Sequence, residues 1–158
     1  MLEFEHIVQV NDPSNAAIIV LTRNQLWQGL VLRARNPEKF NNALQCESGQ
    51  LENGEFVRNI NTGSARFRER VLLYPKQKIS TKTIGEFDQI NAQSTTSIEE
   101  PEKSALFVRF YYKRDLDAID KRMDVGEHLK AAYIQVDKDA IELIRLLAES
   151  SLLDQTID

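Results

Sequence analysis

Between Ala43 and Lys113 the chain alternates strand-like segments with short clusters of turn formers, and this run limits the fold more than any other feature. Strands are expected over 43–50, 55–61, 65–74, 78–86, 90–99 and 105–113. They are separated at Glu52-Asn53-Gly54, Asn61-Thr62-Gly63-Ser64, Pro75-Lys76-Gln77, Phe87-Asp88-Gln89 and Glu100-Pro101-Glu102-Lys103. Parallel neighbours need crossovers of a dozen residues or more, so connections this short impose an antiparallel meander. An earlier alternation, Phe4, His6, Val8 and Val10 against Glu5, Ile7 and Gln9, adds a seventh strand that ends at Asn11-Asp12-Pro13.

The meander is flanked by helical signals. Thr22 and Gln25 have the spacing of a capping box and Leu21 and Leu26 that of a hydrophobic staple, which predicts a helix over 23–35. Its apolar face is Leu26, Trp27, Leu30, Val31 and Ala34, while Arg23, Gln28, Arg33 and Arg35 look outward or towards an opening. Asn36 and Pro37 start a second short helix, through Phe40, that makes a corner. After Lys113 the period becomes helical. Leu129, Tyr133, Val136, Ala140, Leu143, Ile144 and Leu147 form one stripe, widened by Ile134 and Ile141, with Lys130, Asp137, Lys138, Glu142, Arg145 and Glu149 on a wet back. One helix from about Leu116, bent near Gly126, is expected.

This order of elements resembles the START-like helix-grip superfamily, also called SRPBCC. The phrases HIVQVNDP, LTRNQLWQGLVLRARNPEKF, IEEP and LFVRFYY resemble its AtaL-like subgroup of unknown function. The resemblance spans nearly the whole chain and rests on structural rather than catalytic motifs. It implies an α+β helix-grip fold: a seven-stranded antiparallel sheet wrapped around a long C-terminal helix, with two short helices after the first strand. It also implies a largely apolar cavity between sheet and helix. Relatives carry lipids, hormones or polyketides, and some cyclise aromatic polyketides. No catalytic residue is carried over.

Composition narrows the partners. Length and 42% hydrophobic residues fit one domain, and the resemblance implies that residues 1–158 form a single START-like ligand-binding domain. A formal charge of −4 gives no general attraction for nucleic acid or anionic lipid. No apolar run approaches the roughly 20 residues of a membrane span, and the N-terminus lacks the pattern of a signal peptide, so a cytoplasmic protein is expected. Cys46 is the only cysteine and reads as an inert core thiol. With two histidines and no spaced partner, neither a metal site nor a cofactor is expected.

The chemistry-bearing candidates lie inside the expected fold. Ala65, Phe67, Val71 and Leu73 share a strand face with Glu69, while Arg66, Arg68 and Arg70 share the other. A lone buried carboxylate costs several kcal/mol, so Glu69 needs a partner or a wet cavity, and Arg58, diagonal to it across the Thr62-Gly63 turn, is the natural one. The pair either orients a ligand or is a structural ion pair. His6 either faces the ligand, as hydrogen-bond partner or general base, or is satisfied by a backbone carbonyl. Trp27, Phe67, Phe110, Tyr112 and Tyr133 are the large groups expected to point inward and supply aromatic walls. The arginine stripe at 66, 68 and 70 is expected to form a solvated ladder with Glu86, Glu99 and Glu100. His128 is placed beside the helix stripe.

Three functions follow: binding of a small hydrophobic or aromatic molecule, a cyclase or aromatase acting in the same cavity, and a protein-interaction module. The last would use the outward row Phe107, Arg109 and Tyr111, which is also where a homodimer would form.

Overall fold

The computed structural model describes residues 1–63, 65–85, 90–116 and 125–153. Seven strands form one antiparallel sheet in the order β1-β7-β6-β5-β4-β3-β2. They are β1 (Leu2–Gln9), β2 (Gln45–Ser48), β3 (Glu55–Thr62), β4 (Ala65–Tyr74), β5 (Lys78–Thr83), β6 (Ala92–Glu102) and β7 (Ala105–Arg114). From β2 to β7 each strand pairs with the next, as the short turns require. β1 pairs with β7 at the opposite edge from β2, so the chain between β1 and β2 must cross the whole sheet. Helix α1 (Arg23–Arg35) and a 3-10 turn (Pro37–Lys39) make that crossing, and α2 (Gly126–Glu149) follows β7.

Local chemistry accounts for the helix ends. Thr22 Oγ1 accepts from the Gln25 amide at 3.0 Å and the Gln25 side chain accepts from the Thr22 amide at 2.9 Å, so the capping box closes in both directions. Asn36, expected to cap the second helix, instead donates to Glu38, and the segment is a single 3-10 turn. The part of the expected final helix before Gly126 falls on 117–124, outside the described residues. The turn at 87–89 is likewise outside them. β6 runs on through Pro101, where a break was expected, with a register irregularity between Glu99 and Glu102.

The core lies between one sheet face and the two helices. Phe56, Val71, Ile79, Ile98, Val108 and Phe110 meet Leu26 and Leu30 of α1 and Ile141 and Ile144 of α2. Gly29 lets the helices touch, because a Cβ there would stand 2.5 Å from Ile144 Cγ2. Burial rotates α2 relative to the expected stripe. Asp137, Ala140, Ile141, Ile144 and Ala148 face inward, while Val136 is 42% exposed. Asp137, assigned to the wet back, is therefore the polar residue that α2 buries.

The loop between β1 and α1 is pinned by Asn11, which is fully buried. Its side-chain amide donates to the carbonyls of Leu21 and Ser104 and its oxygen accepts from the Leu21 amide. What reads as a turn residue in the sequence is a clamp that replaces missing ladder bonds.

Candidate functional site: a polar-studded cavity under the second helix

A cavity of about 360 Å³ opens between β3–β7, the corner after α1, and α2. Leu30, Ile60 and Ile79 are among its apolar walls. Arg58, Glu69, Thr81, Ser94, Tyr112 and Tyr133 are among its polar ones, and the hydroxyls of Thr81 and Ser94 bond each other at 2.6 Å. The wall is mostly apolar, with these polar groups set into it.

Arg58 and Glu69 meet inside this cavity. Thr62 pairs with Ala65, which sets Arg58 directly opposite Glu69 rather than diagonal to it. Arg58 Nε donates to Glu69 Oε1 at 2.9 Å, and Nη2 is at the same distance from the same oxygen. Nη1 donates to the Ala34 carbonyl at 2.7 Å, so the guanidinium also caps the last turn of α1. The other Glu69 oxygen accepts from no donor among the described residues.

A second cluster, which the sequence reading missed, is centred on Asp137. Arg33 Nη2 donates to Oδ1 at 2.8 Å, Tyr112 OH lies 2.7 and 2.6 Å from the two carboxylate oxygens, and His6 Nε2 is 2.7 Å from Oδ2. A carboxylate only accepts, so Nε2 is the protonated nitrogen of His6 on that side. The donors come from β1, α1 and β7, so one buried group on α2 ties together four elements. Burial, and then the negative charge of Asp137, push the Tyr112 phenol far above its ordinary value, which keeps it a hydrogen donor.

The other expected wall residues divide. Tyr112 and Tyr133 both line the cavity, stacked at 4.8 Å and 15°, and Arg114 Nη1 donates to the Tyr133 hydroxyl at 3.1 Å. Phe110 is fully buried in the core, with the His6 ring stacked on it at 5.1 Å, and neither lines the cavity. Trp27 packs against the core from the α1 side, Phe67 is half-buried on β4, and both lie off the cavity wall. His128 is exposed.

The outer face also differs from expectation. Glu99 pairs with Arg109, and Glu100 with Arg23 and the Ser104 amide, so these acids are not the partners of the 66/68/70 stripe; Glu86 lies outside the described residues. The Ser104 amide bond is the main reason the Glu100 carboxyl is held low. Arg109 also donates to Glu5 and Tyr111 to Glu3, so the row with Phe107 is laced by polar cross-strand pairs.

The family model AtaL, described as acetylaranotin biosynthesis cluster protein L, matches residues 8–151. The chain belongs to the AtaL family. No curated protein matches it. Among solved structures, this AtaL-family chain is similar to the di-domain ARO/CYC StfQ from the steffimycin biosynthetic pathway, with TM-score 0.73 and 12% identity over 96% of this chain and 51% of StfQ. It therefore spans about half the length of that protein. It is also similar to the Zhui aromatase/cyclase from Streptomyces sp. R1128, with TM-score 0.64 and 12% identity over 95% of this chain and 94% of that one. Ara h 8.0201 follows with TM-score 0.59 and 12% identity over 90% and 95%. At such identities the likeness establishes the helix-grip fold. No helix among the described residues is long and apolar enough to cross a membrane.

Proposed function

We propose that this AtaL-family protein binds a small aromatic or hydrophobic molecule in the cavity between its sheet and α2. The observation that carries this is the cavity itself: about 360 Å³ is within the range of small-molecule sites, and its apolar walls are set with a few polar groups held by buried partners. Apolar contact would supply affinity at roughly 25 cal/mol per Å² before the costs of association. Arg58, Glu69, Tyr112 and Tyr133 would supply orientation from the wall. His6 would act only through Asp137, which holds Tyr112 in place.

A second use of the same cavity, as a cyclase or aromatase, draws support from the likeness to the Zhui aromatase/cyclase and from the Glu69 oxygen that Arg58 leaves unengaged. Such a carboxylate in a confined site could move a proton of a folded reactive chain.

Native mass spectrometry of freshly purified protein tests the binding proposal by looking for a co-purified small molecule, followed by thermal shift against aromatic compounds. A bound molecule or a stabilisation that disappears on filling the cavity by Ala34→Trp is expected. If no molecule co-purifies and no compound raises the melting temperature, the proposal is wrong.

A further inference from the structure

The cavity wall offers opposite kinds of hydrogen bond at two separated places. On β4, both nearby nitrogens of Arg58 lie against Glu69 Oε1, and Oε2 has no donor among the described residues yet is not sealed from the cavity space. That oxygen can only accept from a ligand carrying an O–H or N–H. At the β7 and α2 end the preference is reversed. The Tyr133 hydroxyl already accepts from Arg114, and its own hydrogen has no acceptor among the described residues. Arg33 commits Nη2 to Asp137, and its other N–H groups have no acceptor among the described residues. Tyr112, stacked on Tyr133, has its single hydrogen held by Asp137 and so cannot compete as a donor.

Tyr133 stands one helical turn before Asp137, which puts its hydroxyl and the Asp137-bound Arg33 at the same end. A phenol and a guanidinium together fit a carboxylate, because one donor is cationic and the bond is charge-assisted. The two ends are separated by β5 and β6, so β4 and β7 lie three strand spacings apart, roughly 14 Å at the backbone. Side chains reaching inward from both ends would shorten that span towards the length of a fused two-ring system. Between the ends, Ile79 of β5 and Leu30 of α1 give an apolar passage.

We propose that the ligand is a rigid, elongated hydroxy-aromatic acid, its carboxylate taken by Tyr133 and Arg33 and its distal hydroxyl donating to Glu69. This deepens the binding function proposed above and rests on it. The bland alternative is that both ends are merely hydrated and select nothing.

Isothermal titration at pH 7 with 6-hydroxy-2-naphthoic acid, 2-naphthoic acid and 2-naphthol separates these cases. The hydroxy acid is expected to bind about tenfold more tightly than either probe with one polar group. Tyr133→Phe should weaken both acids about tenfold and leave 2-naphthol unchanged, whereas Glu69→Gln should weaken both hydroxyl-bearing probes and spare 2-naphthoic acid. If Glu69→Gln does not fold, the order of the three probes on the unaltered protein together with Tyr133→Phe decides the matter. Equal binding of all three, unmoved by Tyr133→Phe, overturns the two-ended ligand while leaving the cavity as a binding site. Failure of all three to bind overturns both.

Discussion

Asp137 on α2 and Glu69 on β4 are both carboxylates set among apolar residues, yet they meet their arginines in opposite ways. Asp137, with a side chain 1% exposed, is engaged on both oxygens by Arg33, Tyr112 and His6. Glu69, 14% exposed, gives one oxygen to Arg58 and keeps the other. The first is a closed cluster whose cost of burial is offset from within; the second is half-open and leaves a valence for something else. Complete satisfaction marks the group that holds the architecture. Incomplete satisfaction beside a cavity marks the group available for work.

Replacing Asp137 with Leu should break this contrast most severely, because it strands Arg33 and the Tyr112 hydroxyl in a buried site. A loss of about 3–5 kcal/mol in urea unfolding is expected, and a loss below 1 kcal/mol would mean the cluster does not secure α2. Gly29→Ala attacks the same cluster indirectly. The new methyl would overlap Ile144 and push apart the helices that carry Arg33 and Asp137, each one or two turns along the same faces. A loss of about 1–3 kcal/mol is expected, readable as a lower urea midpoint at unchanged slope.

Glu69→Gln should cost less, about 1 kcal/mol, since the amide oxygen can still accept from Arg58 and the Ala34 carbonyl remains. A loss as large as that of Asp137→Leu would place both carboxylates in the structural class. Tyr112 sharpens the comparison through pH. Its raised phenol contributes stability that is complete below the ordinary phenol value of about 10 and declines as pH rises above it, because only the unfolded chain then ionises there. Spectroscopic titration of the native protein should show one phenol that ionises only on unfolding, and Tyr112→Phe should remove that silent group. Smallest of all, burial raises the Cys46 thiol, so alkylation at pH 8 should be slower than for a free thiol and recover in urea.

The two clusters also differ in how visible they are in the sequence. Glu69 interrupts an apolar row of period two, and a partner across a short hairpin is easily found, so Arg58 could be named even though the register was off by two residues on β4, which keeps both side chains on the same face. The capping box of Thr22 and Gln25 likewise gave the start of α1. Asp137 is hidden because it lies in the charged run Asp137-Lys138-Asp139 on a long helix, where hydropathy assigns every charge to solvent. The signal that could have found it is the complementary surplus of donors. His6 in an apolar strand row, Arg33 near the apolar face of α1 and Tyr112 in the last strand all needed an acceptor. Phe110 and Trp27 were rightly placed inward, but periodicity does not distinguish a wall from the packed interior behind it.

The pairing of the first strand with the last has a consequence for synthesis. Gln9 waits for Phe107 and Leu2 for Arg114, while His6 waits for a partner 131 residues downstream. On the ribosome the meander can zip from β2 onward by local hairpins, but the β1 edge stays uncovered until β7 has been made. Closure of that edge and docking of α2 therefore follow the meander, and the cavity is enclosed only once β7 and α2 have been made.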